Sequence, residues 1–330
     1  MTDINWKGRN VLVTGAGGFI GSHLTERLVS LGASVRALVR YTSTGKWGWL
    51  DQSPVKSDIE VVLGDVRDFF SVREAMQGRE FVFHLAALIG IPYSYQAPQS
   101  YLHTNVEGTL NVLQAARELK TSRVICTSTS EVYGTAQYVP IDEKHLLQGQ
   151  SPYSASKIAA DMVAESYFRS FQLPVTIARP FNTYGPRQSA RAVIPTIITQ
   201  ALAGSEIRLG SVFPTRDFNF VDDTVEGFIC AAASERAIGQ VINFGSGVEV
   251  SIQELLAEIE SLLGKKLTLV GDSARVRPEN SEVERLCADA TKARELLGWS
   301  PRVQLKDGLC RTISWIEQNL GGYRVSSYAV

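Results

Sequence analysis

The chain has 330 residues, of which 44% are hydrophobic and 20% are charged, and its formal net charge is −1 at pH 7. A chain so close to neutrality lacks the basic field that binds nucleic acid or anionic lipid, so we expect neither as a partner. No apolar run could span a bilayer and the amino terminus shows no secretory signal, which predicts a cytoplasmic protein. The four cysteines are scattered without ligand spacing, so no metal site is expected.

In the first half of the chain, short β-branched runs alternate with amphipathic segments, which predicts a parallel sheet covered by helices. The predicted strands cover residues 10–14, 34–39, 60–63, 81–85, 123–127 and 175–178. The predicted helices include 98–119, 156–170, 193–203, 252–263 and 309–319. We therefore expect an α/β fold: a Rossmann-type doubly wound parallel sheet over residues 1–180, and a smaller mixed α/β carboxy-terminal lobe over residues 181–330. Segments of the two regions can interleave.

A glycine-rich turn lies between the first strand and the first helix. Gly15, Gly18 and Gly21 form the pattern G-x-x-G-x-x-G, and Phe19 and Ile20 complete the turn. Glycines let the backbone turn sharply and approach a pyrophosphate, which sits against the N–H groups at the helix start. In this strand–turn–helix setting the pattern predicts a dinucleotide site.

Later segments extend this predicted cofactor site. The acid that binds the adenosine ribose at the end of the second strand is missing, and Arg40 stands there instead. Arg40 can pair with a 2′-phosphate, which favours NADP, or stack on adenine, which permits NAD, so the cofactor is NAD(P). Further contacts with the cofactor are expected from Asp65, Val66, Leu85, Ala86 and Ala87.

The strongest chemical signal is a tyrosine four residues before a lysine. Tyr153 and Lys157 fall on one face of a helix, and an ammonium group beside a phenol favours the phenolate, which predicts a base near neutral pH. Asn105 on the preceding long helix is expected to bond backbone or a water near Lys157, or simply to pack. We count Asn105, Tyr153 and Lys157 among the cofactor-binding residues. Polar residues also follow the strand 123–127, where a bound dinucleotide would present its nicotinamide: Thr129, Ser130 and Glu131.

Together these motifs resemble the extended short-chain dehydrogenase/reductases. They include the glycine turn, the Tyr153/Lys157 pair, His84-Leu85-Ala86-Ala87, Asn105-Val106-Glu107-Gly108-Thr109 and Arg179-Pro180-Phe181-Asn182. The segment 128–134 narrows the resemblance to nucleotide-sugar 4,6-dehydratases and UDP-glucuronate decarboxylases. Three stretches, 41–51, 214–221 and 277–286, are similar to dehydratases of the bacterial legionaminic-acid type, which act on nucleotide-linked N-acetylhexosamines.

The resemblance implies a lyase that converts a nucleotide hexose, such as nucleotide-linked N-acetylglucosamine, to the 4-keto-6-deoxy sugar through bound NAD(P). Tyr153 would take the proton of the C4 hydroxyl, Thr129 would bond O4, and Glu131 would remove the C5 proton. Relatives that act on dTDP-glucose carry an acidic aspartate at the position of Ser130. The acid that protonates the departing C6 hydroxyl is therefore a separate group or Glu131 itself. A UDP-glucuronate decarboxylase or 4-epimerase would share these residues and stays an alternative.

The resemblance also implies how the substrate and a second subunit bind. Arginines from the smaller lobe are expected at the diphosphate, because guanidinium groups bind phosphate oxygens in pairs. The expected substrate-binding residues are Tyr93 in the sugar pocket and Asn182, Arg191, Arg216 and Arg277 at the diphosphate. A homodimer through a four-helix interface, built from the two long helices of each subunit, is the habit of the family.

Overall fold

The computed structural model of the protein describes residues 4–323, so the first three residues of the amino-terminal segment lie outside the described part. The strands are β1 (Asn10–Thr14), β2 (Ser34–Arg40), β3 (Ile59–Gly64), β4 (Phe81–His84), β5 (Arg123–Thr127), β6 (Val175–Pro180), β7 (Asn182–Tyr184), β8 (Glu206–Leu209), β9 (Thr215–Phe220), β10 (Val241–Phe244), β11 (Glu249–Ser251) and β12 (Thr268–Gly271).

The helices are α1 (Phe19–Ser30), α2 (Phe69–Met76), α3 (Ile91–Gln96), α4 (Pro98–Tyr101), α5 (Gly108–Leu119), α6 (Pro152–Phe171), α7 (Val193–Ala203), α8 (Val221–Ala233), α9 (Ile252–Leu263), α10 (Thr291–Leu297) and α11 (Leu305–Gln318). Short 3₁₀ turns cover Gly48–Gln52, Lys56–Asp58, Ser130–Tyr133, Glu235–Ala237, Ser273–Arg275, Glu279–Ser281 and Leu320–Gly322.

A parallel sheet of seven strands forms the centre of the fold, in the order β10-β6-β5-β4-β1-β2-β3. The strand order reverses between β1 and β4, and Thr14 is the register partner of His84 at the carboxyl end of that pair. Ligands of open α/β sheets bind in the crevice at such a reversal, outside the carboxyl ends of the strands. The predicted Rossmann-type doubly wound sheet is therefore confirmed, and it places the glycine turn at this crevice.

Alternating side chains of the central strands pack into two cores. On β1, Val11 and Val13 join the core that contains Leu24 of α1. Leu12 belongs to the opposite core, which contains Val112 of α5. The strands β1, β4, β5 and β6 are buried on both sides, because helices cover both faces of the sheet.

The second lobe contains two small sheets, in the orders β11-β9-β7 and β12-β8. The seventh strand of the main sheet, β10, comes from beyond residue 180 and pairs with β6, so Phe244 aligns with Pro180. The two regions thus interleave along the chain. Sequence periodicity missed α8 and β10, because most of their residues are buried and few polar positions mark a period.

Helix α11 begins at Leu305 instead of residue 309, and two helices that carry site residues also differ from the sequence prediction. Helix α6 starts at Pro152 instead of residue 156, because Ser151 caps it: its side chain accepts the Ser154 N–H at 3.1 Å. Tyr153 therefore lies in the first turn of the helix. The predicted helix 98–119 contains a π-helical segment, Leu102–Glu107, between α4 and α5. Such segments bring side chains out of the regular helical register.

Candidate active site

The glycine turn leaves its backbone amides free at the start of α1. Gly15 has a φ of +68°, and a Cβ there would lie 2.7 Å from the backbone nitrogen of Ala86. Gly18 precedes the helix without a side-chain cap, and the first turn carries no acidic residue. The N–H groups of the first turn, from Phe19, Ile20 and Gly21, point outward without helical acceptors. These features fit a dinucleotide pyrophosphate, which needs close backbone approach and free amides.

A buried chain of hydrogen bonds ties the turn to β4 and α5. The Thr14 hydroxyl accepts the N–H groups of Leu85 and Ala86, both at 3.1 Å, so its own proton goes to His84 Nδ1 at 2.8 Å. His84 Nε2 then donates to Thr109 at 3.2 Å. Burial, with the nearby Lys157 ammonium, lowers the pKa of His84 to about 3. The imidazole is therefore neutral, and it holds the half-buried segment Leu85, Ala86 and Ala87 against the turn.

Of the residues predicted to bind the adenosine half of the cofactor, Arg40 is free of burial and Asp65 is already paired with a neighbour. Arg40 is exposed at the end of β2. Asp65 accepts hydrogen bonds from Arg67 Nε at 3.0 Å, and this guanidinium lowers the pKa of the Asp65 carboxyl. Val66 is buried under Gly108, where a Cβ would lie 2.9 Å from its side chain. Asp65 can thus reach an adenine amine only by sharing its carboxylate with Arg67.

A loop after β2 covers the glycine turn, and sequence reasoning did not assign it to the cofactor site. The N–H of Trp49 donates to the carbonyl of Gly17 at 3.0 Å. A Cβ at Gly17 would collide with the Trp47 carbonyl, and one at Gly48 would collide with Gly17. Trp49 also packs edge-on against Trp315 at 5.2 Å. In the sequence, the glycine of Trp47-Gly48-Trp49 indicated this contact. Gly48 and Gly17 lack side chains, which allows the loop and the glycine turn to approach each other.

Tyr153 and Lys157 are both buried beneath the crevice, with 7% and 6% exposure. Lys157 Nζ donates to the Thr127 carbonyl at 2.6 Å, which fixes the ammonium at the end of β5. Burial raises the pKa of the Tyr153 phenol, and contact with Thr129 only partly offsets that effect. Burial lowers the pKa of Lys157. The expected lowering of the Tyr153 pKa by Lys157 is therefore not found: burial raises that pKa, and the Lys157 ammonium is bonded to the Thr127 carbonyl.

Asn105 connects the helices and loops around this pair. It is 1% exposed, and its Oδ1 accepts the Leu88 N–H at 2.8 Å. Its Nδ2 donates to the Leu88 carbonyl at 3.0 Å and to the Ser156 hydroxyl at 2.9 Å. Ser156 in turn donates to the Tyr153 carbonyl. The Asn105 amide thus holds the loop after β4 to the catalytic helix, and its place in the π-helical segment brings it there.

The polar segment after β5 forms a short turn at the mouth of the crevice. Thr129 starts this 3₁₀ turn, and its hydroxyl accepts the Glu131 N–H at 3.2 Å. Ser130 is buried, whereas Glu131 stays half-buried. The Glu131 carboxylate acts electrostatically on both Tyr153 and the guanidinium of Arg216. The structure therefore brings together the predicted base residues and one predicted diphosphate arginine.

A buried ion pair beneath this turn was not predicted from the sequence. Asp161 lies one helical turn after Lys157, and Arg179 of β6 donates to it at 2.9 and 3.1 Å. The Ser128 hydroxyl donates to the same carboxylate oxygen at 2.7 Å. Arg179 also donates to the Tyr133 hydroxyl at 2.9 Å. Through Ser128 and Tyr133, the ion pair connects α6 to both ends of the polar segment 128–133. In the sequence, only the Arg179-Pro180 motif indicated this contact.

The predicted substrate residues surround the crevice from two sides. Arg216 is buried on β9, and its Nη2 lies 3.2 Å from Glu282 Oε1. Arg277 Nη1 lies 3.5 Å from the same oxygen. Arg191 is exposed near Gly90, with its Nη1 3.4 Å from the position of a Cβ there.

Aromatic rings connect the far side of the crevice to the base. The rings of Tyr93 and Tyr101 are 6.2 Å apart, and the Tyr101 ring lies 6.2 Å from that of Tyr153. Tyr93 is 38% exposed, so its ring reaches the rim. Asn182 is half-buried at the start of β7, the strand beside the one that carries Arg216. These positions leave Tyr93 and Asn182 available to a ligand.

Over residues 4–323, no group of three or more His, Cys, Asp or Glu side chains could hold a metal ion. Within the same residues, every helix is too short or too polar to cross a bilayer.

A doubly wound sheet, a glycine turn at the strand-order reversal and a buried Tyr-x-x-x-Lys helix together define an extended short-chain dehydrogenase/reductase. Residues 12–312 match the family model described as GDP-mannose 4,6 dehydratase. The chain belongs to this family of enzymes, whose members act on nucleotide sugars.

Relatives of the chain perform three different reactions. A UDP-glucose 4-epimerase from Mycolicibacterium smegmatis is 35% identical over 311 residues, which is 92% of this chain and 97% of the relative. A UDP-N-acetyl-alpha-D-glucosaminuronate decarboxylase from Bacillus cytotoxicus is 34% identical, over 94% of this chain and 98% of the relative. The crystal structure of the dTDP-glucose 4,6-dehydratase DesIV from Streptomyces venezuelae, with NAD bound, is 32% identical with a TM-score of 0.86. This match covers 96% of the present chain and 99% of DesIV.

Proposed function

We propose that the protein is a nucleotide-sugar 4,6-dehydratase that converts a nucleotide hexose, in particular nucleotide-linked N-acetylglucosamine, to its 4-keto-6-deoxy form. One observation carries the proposal. The half-buried Glu131 carboxylate lies within electrostatic range of both Tyr153 and Arg216, the residues proposed for the C4 hydroxyl and for the diphosphate. A carboxylate near both groups is in place to act as a base on a sugar bound there.

The cofactor, when bound, takes a hydride from C4 and returns one to C6, so the overall reaction has no net redox change. The Tyr153 phenolate accepts the proton of the C4 hydroxyl, and Thr129 bonds O4. Burial raises the pKa of Tyr153, so we expect the positive charge of the oxidised nicotinamide to complete its activation. Cofactor binding and base formation are then coupled.

Glu131 performs the step that makes the outcome a dehydration. The 4-keto group acidifies the C5 hydrogen, and Glu131 removes it. Ser130 has no acidic proton near neutral pH, so Glu131, protonated by that step, delivers a proton to the departing C6 hydroxyl, which leaves as water. When hydride reaches C6, C5 regains a proton from solvent, so the net change is the loss of one water. A 4-epimerase removes no C5 proton, and a decarboxylase breaks a carbon–carbon bond instead. Both alternatives would share Glu131, so the support for dehydration over them comes from the stretches 41–51, 214–221 and 277–286, which resemble dehydratases.

The proposed cofactor site uses the glycine turn, with Asn105 as a support rather than a contact. For the adenosine half we propose Arg40 and Asp65, which accommodate NAD or NADP. Denaturing the purified protein and identifying the released dinucleotide by mass spectrometry decides between the two. The division of the chain into a cofactor region, 1–180, and a nucleotide-sugar lobe, 181–330, is proposed on the same grounds.

A homodimer is proposed through the helices α4, α5 and α6. Large apolar side chains on these helices are exposed, namely Leu102 at 49%, Leu110 at 41%, Met162 at 45% and Phe171 at 45%. Exposed apolar side chains grouped on neighbouring helices are typical of a surface that another chain covers. Two copies of this surface would form a four-helix interface.

The experiment that tests the function is incubation of the protein with a panel of UDP-, GDP- and dTDP-linked hexoses, followed by mass spectrometry. Loss of one water from a nucleotide sugar, with N-acetylglucosamine as the preferred hexose, is the expected result. Release of carbon dioxide from a UDP-uronate would establish the decarboxylase instead. A product of unchanged mass with inverted C4 would establish the epimerase.

A further inference from the structure

A single carboxylate lies between the two arginines of the proposed diphosphate site. Glu282 Oε1 is 3.2 Å from Arg216 Nη2 and 3.5 Å from Arg277 Nη1. The side chain of Arg216 is 7% exposed, and those of Glu282 and Arg277 are 23% and 26% exposed. The cluster is therefore open to solvent on the side of Glu282 and Arg277, while Arg216 forms its buried base.

The two guanidinium groups keep hydrogen-bonding capacity that Glu282 does not use. Arg277 Nη1 is buried, and within residues 4–323 it has no hydrogen-bond partner, because Glu282 approaches it only at ion-pair distance. Arg216 gives one Nη1 bond to the carbonyl of Thr215, at 2.9 Å. An isolated buried N–H is costly, and guanidinium groups bind phosphate oxygens in pairs. The unused donor therefore points to a ligand with more oxygens than one carboxylate supplies.

The backbone around Glu282 is held independently of its side chain. Its carbonyl accepts Gln150 Nε2 at 3.3 Å and the Thr135 hydroxyl at 3.4 Å. Two residues on, the Glu284 carbonyl accepts the Thr215 N–H at 2.9 Å. The Glu282 side chain can therefore rotate away from the arginines while the segment that carries it stays in place.

We propose that Glu282 is an internal counter-ion that occupies the anion site of Arg216 and Arg277 and must be displaced when the substrate's diphosphate binds. The carboxylate stabilises the empty site, because two guanidinium groups would otherwise repel each other. It also competes with the diphosphate and so weakens nucleotide-sugar affinity. This inference rests on the proposed function, since it takes a nucleotide sugar as the ligand.

The test measures binding of inorganic pyrophosphate by titration calorimetry at low salt, without any turnover. Glu282→Gln keeps the side-chain shape and removes the charge, so it should bind pyrophosphate about fivefold more tightly than the wild type. Glu284→Gln removes an exposed carboxylate two residues away and should leave the dissociation constant unchanged. Adding Arg277→Ala to Glu282→Gln should abolish the gain. The advantage of Glu282→Gln should also shrink as salt is added.

Equal or weaker pyrophosphate binding by Glu282→Gln overturns the proposal, since weaker binding means that the carboxylate orients Arg216 for the ligand. A gain of the same size in Glu284→Gln overturns it as well, because the effect would then be one of overall charge. Absence of pyrophosphate binding in every variant shows that the arginines form no anion site. Glu282→Asp, which withdraws the carboxylate by one methylene, should give a smaller gain and serves if Glu282→Gln does not fold. A protein that dehydrates no nucleotide sugar contradicts the proposed function but leaves this measurement interpretable.

Discussion

Replacement of Glu131 by glutamine is the sharpest perturbation of the proposed mechanism. The amide has nearly the shape of the carboxylate but cannot take a proton from C5. The bond from the Glu131 N–H to the Thr129 hydroxyl, at 3.2 Å, involves the backbone and should survive the substitution. We therefore expect the variant to fold, bind its cofactor and oxidise C4, yet fail to release the dehydrated sugar.

The contacts of the neighbouring carboxylate indicate how much activity Glu131→Gln should lose. Two carboxylates act on Tyr153, those of Glu131 and Asp161. Asp161 is buried and already receives Arg179 and Ser128, so it cannot replace Glu131 as the base. General-base catalysis contributes about 10²- to 10⁴-fold, and without a substitute we expect the upper part of that range. A loss of about 10³- to 10⁴-fold raises the barrier by about 4–5 kcal/mol.

The assay follows two signals in the same reaction, product mass and the absorbance of the reduced nicotinamide. Glu131→Gln should accumulate reduced cofactor and form almost no product. Tyr153→Phe, the matched control, should show neither signal, because it blocks the earlier step. In heavy water, the wild type should incorporate deuterium at C5 and Glu131→Gln should not. Product formation by Glu131→Gln within tenfold of the wild type would falsify the assignment of this base.

Three further expectations concern the cofactor turn, a buried imidazole and the dimer. Gly15→Ala places a Cβ 2.7 Å from the Ala86 nitrogen at a φ of +68°. The variant should therefore lower the free energy of unfolding in urea by about 1–3 kcal/mol and contain less bound dinucleotide. Unchanged cofactor content would contradict this. The pKa of His84 is about 3 when folded and 6.5 in the unfolded reference, so as pH falls below 6.5 the unfolded chain binds the proton first. This one group should remove up to about 1.4 kcal/mol of stability per pH unit, and His84→Gln should flatten that slope in urea titrations; an unchanged slope would refute the neutral imidazole. Met162→Glu introduces charge into the exposed apolar surface of α6 and should yield monomers in sedimentation, with the exposed Glu284→Gln as the control; a stable dimer would place the interface elsewhere.

Local sequence patterns were enough to predict the strands and the motifs of residues 1–180. The glycine turn, the strand before it and the pair Tyr153/Lys157 are each written within a few consecutive residues. Six strands predicted from β-branched runs agree with the structure to within two residues at each end. Central parallel strands are buried on both faces, so their composition alone identifies them.

The prediction of the Tyr153 pKa was weaker, because burial and a neighbouring positive charge change a phenol pKa in opposite directions. Sequence reasoning paired Lys157 with Tyr153 and expected a lowered phenol pKa. In the folded protein Lys157 is bonded to the Thr127 carbonyl at 2.6 Å, and burial raises the pKa of Tyr153. Spacing shows that two groups share a helix face, but the solvent around them depends on the whole fold.

The sequence by itself predicted a dinucleotide crevice at the glycine turn and named the tyrosine, the lysine and the glutamate that accompany it. Those features depend on short-range backbone geometry, which neighbouring residues specify. Only the tertiary structure decided that Glu282 stands between Arg216 and Arg277, and that the Trp49 N–H reaches the Gly17 carbonyl. The contacts of Gly17 with Trp49 and of Arg216 with Glu282 join residues tens of positions apart, and they exist because the folding of each lobe brings its distant segments together.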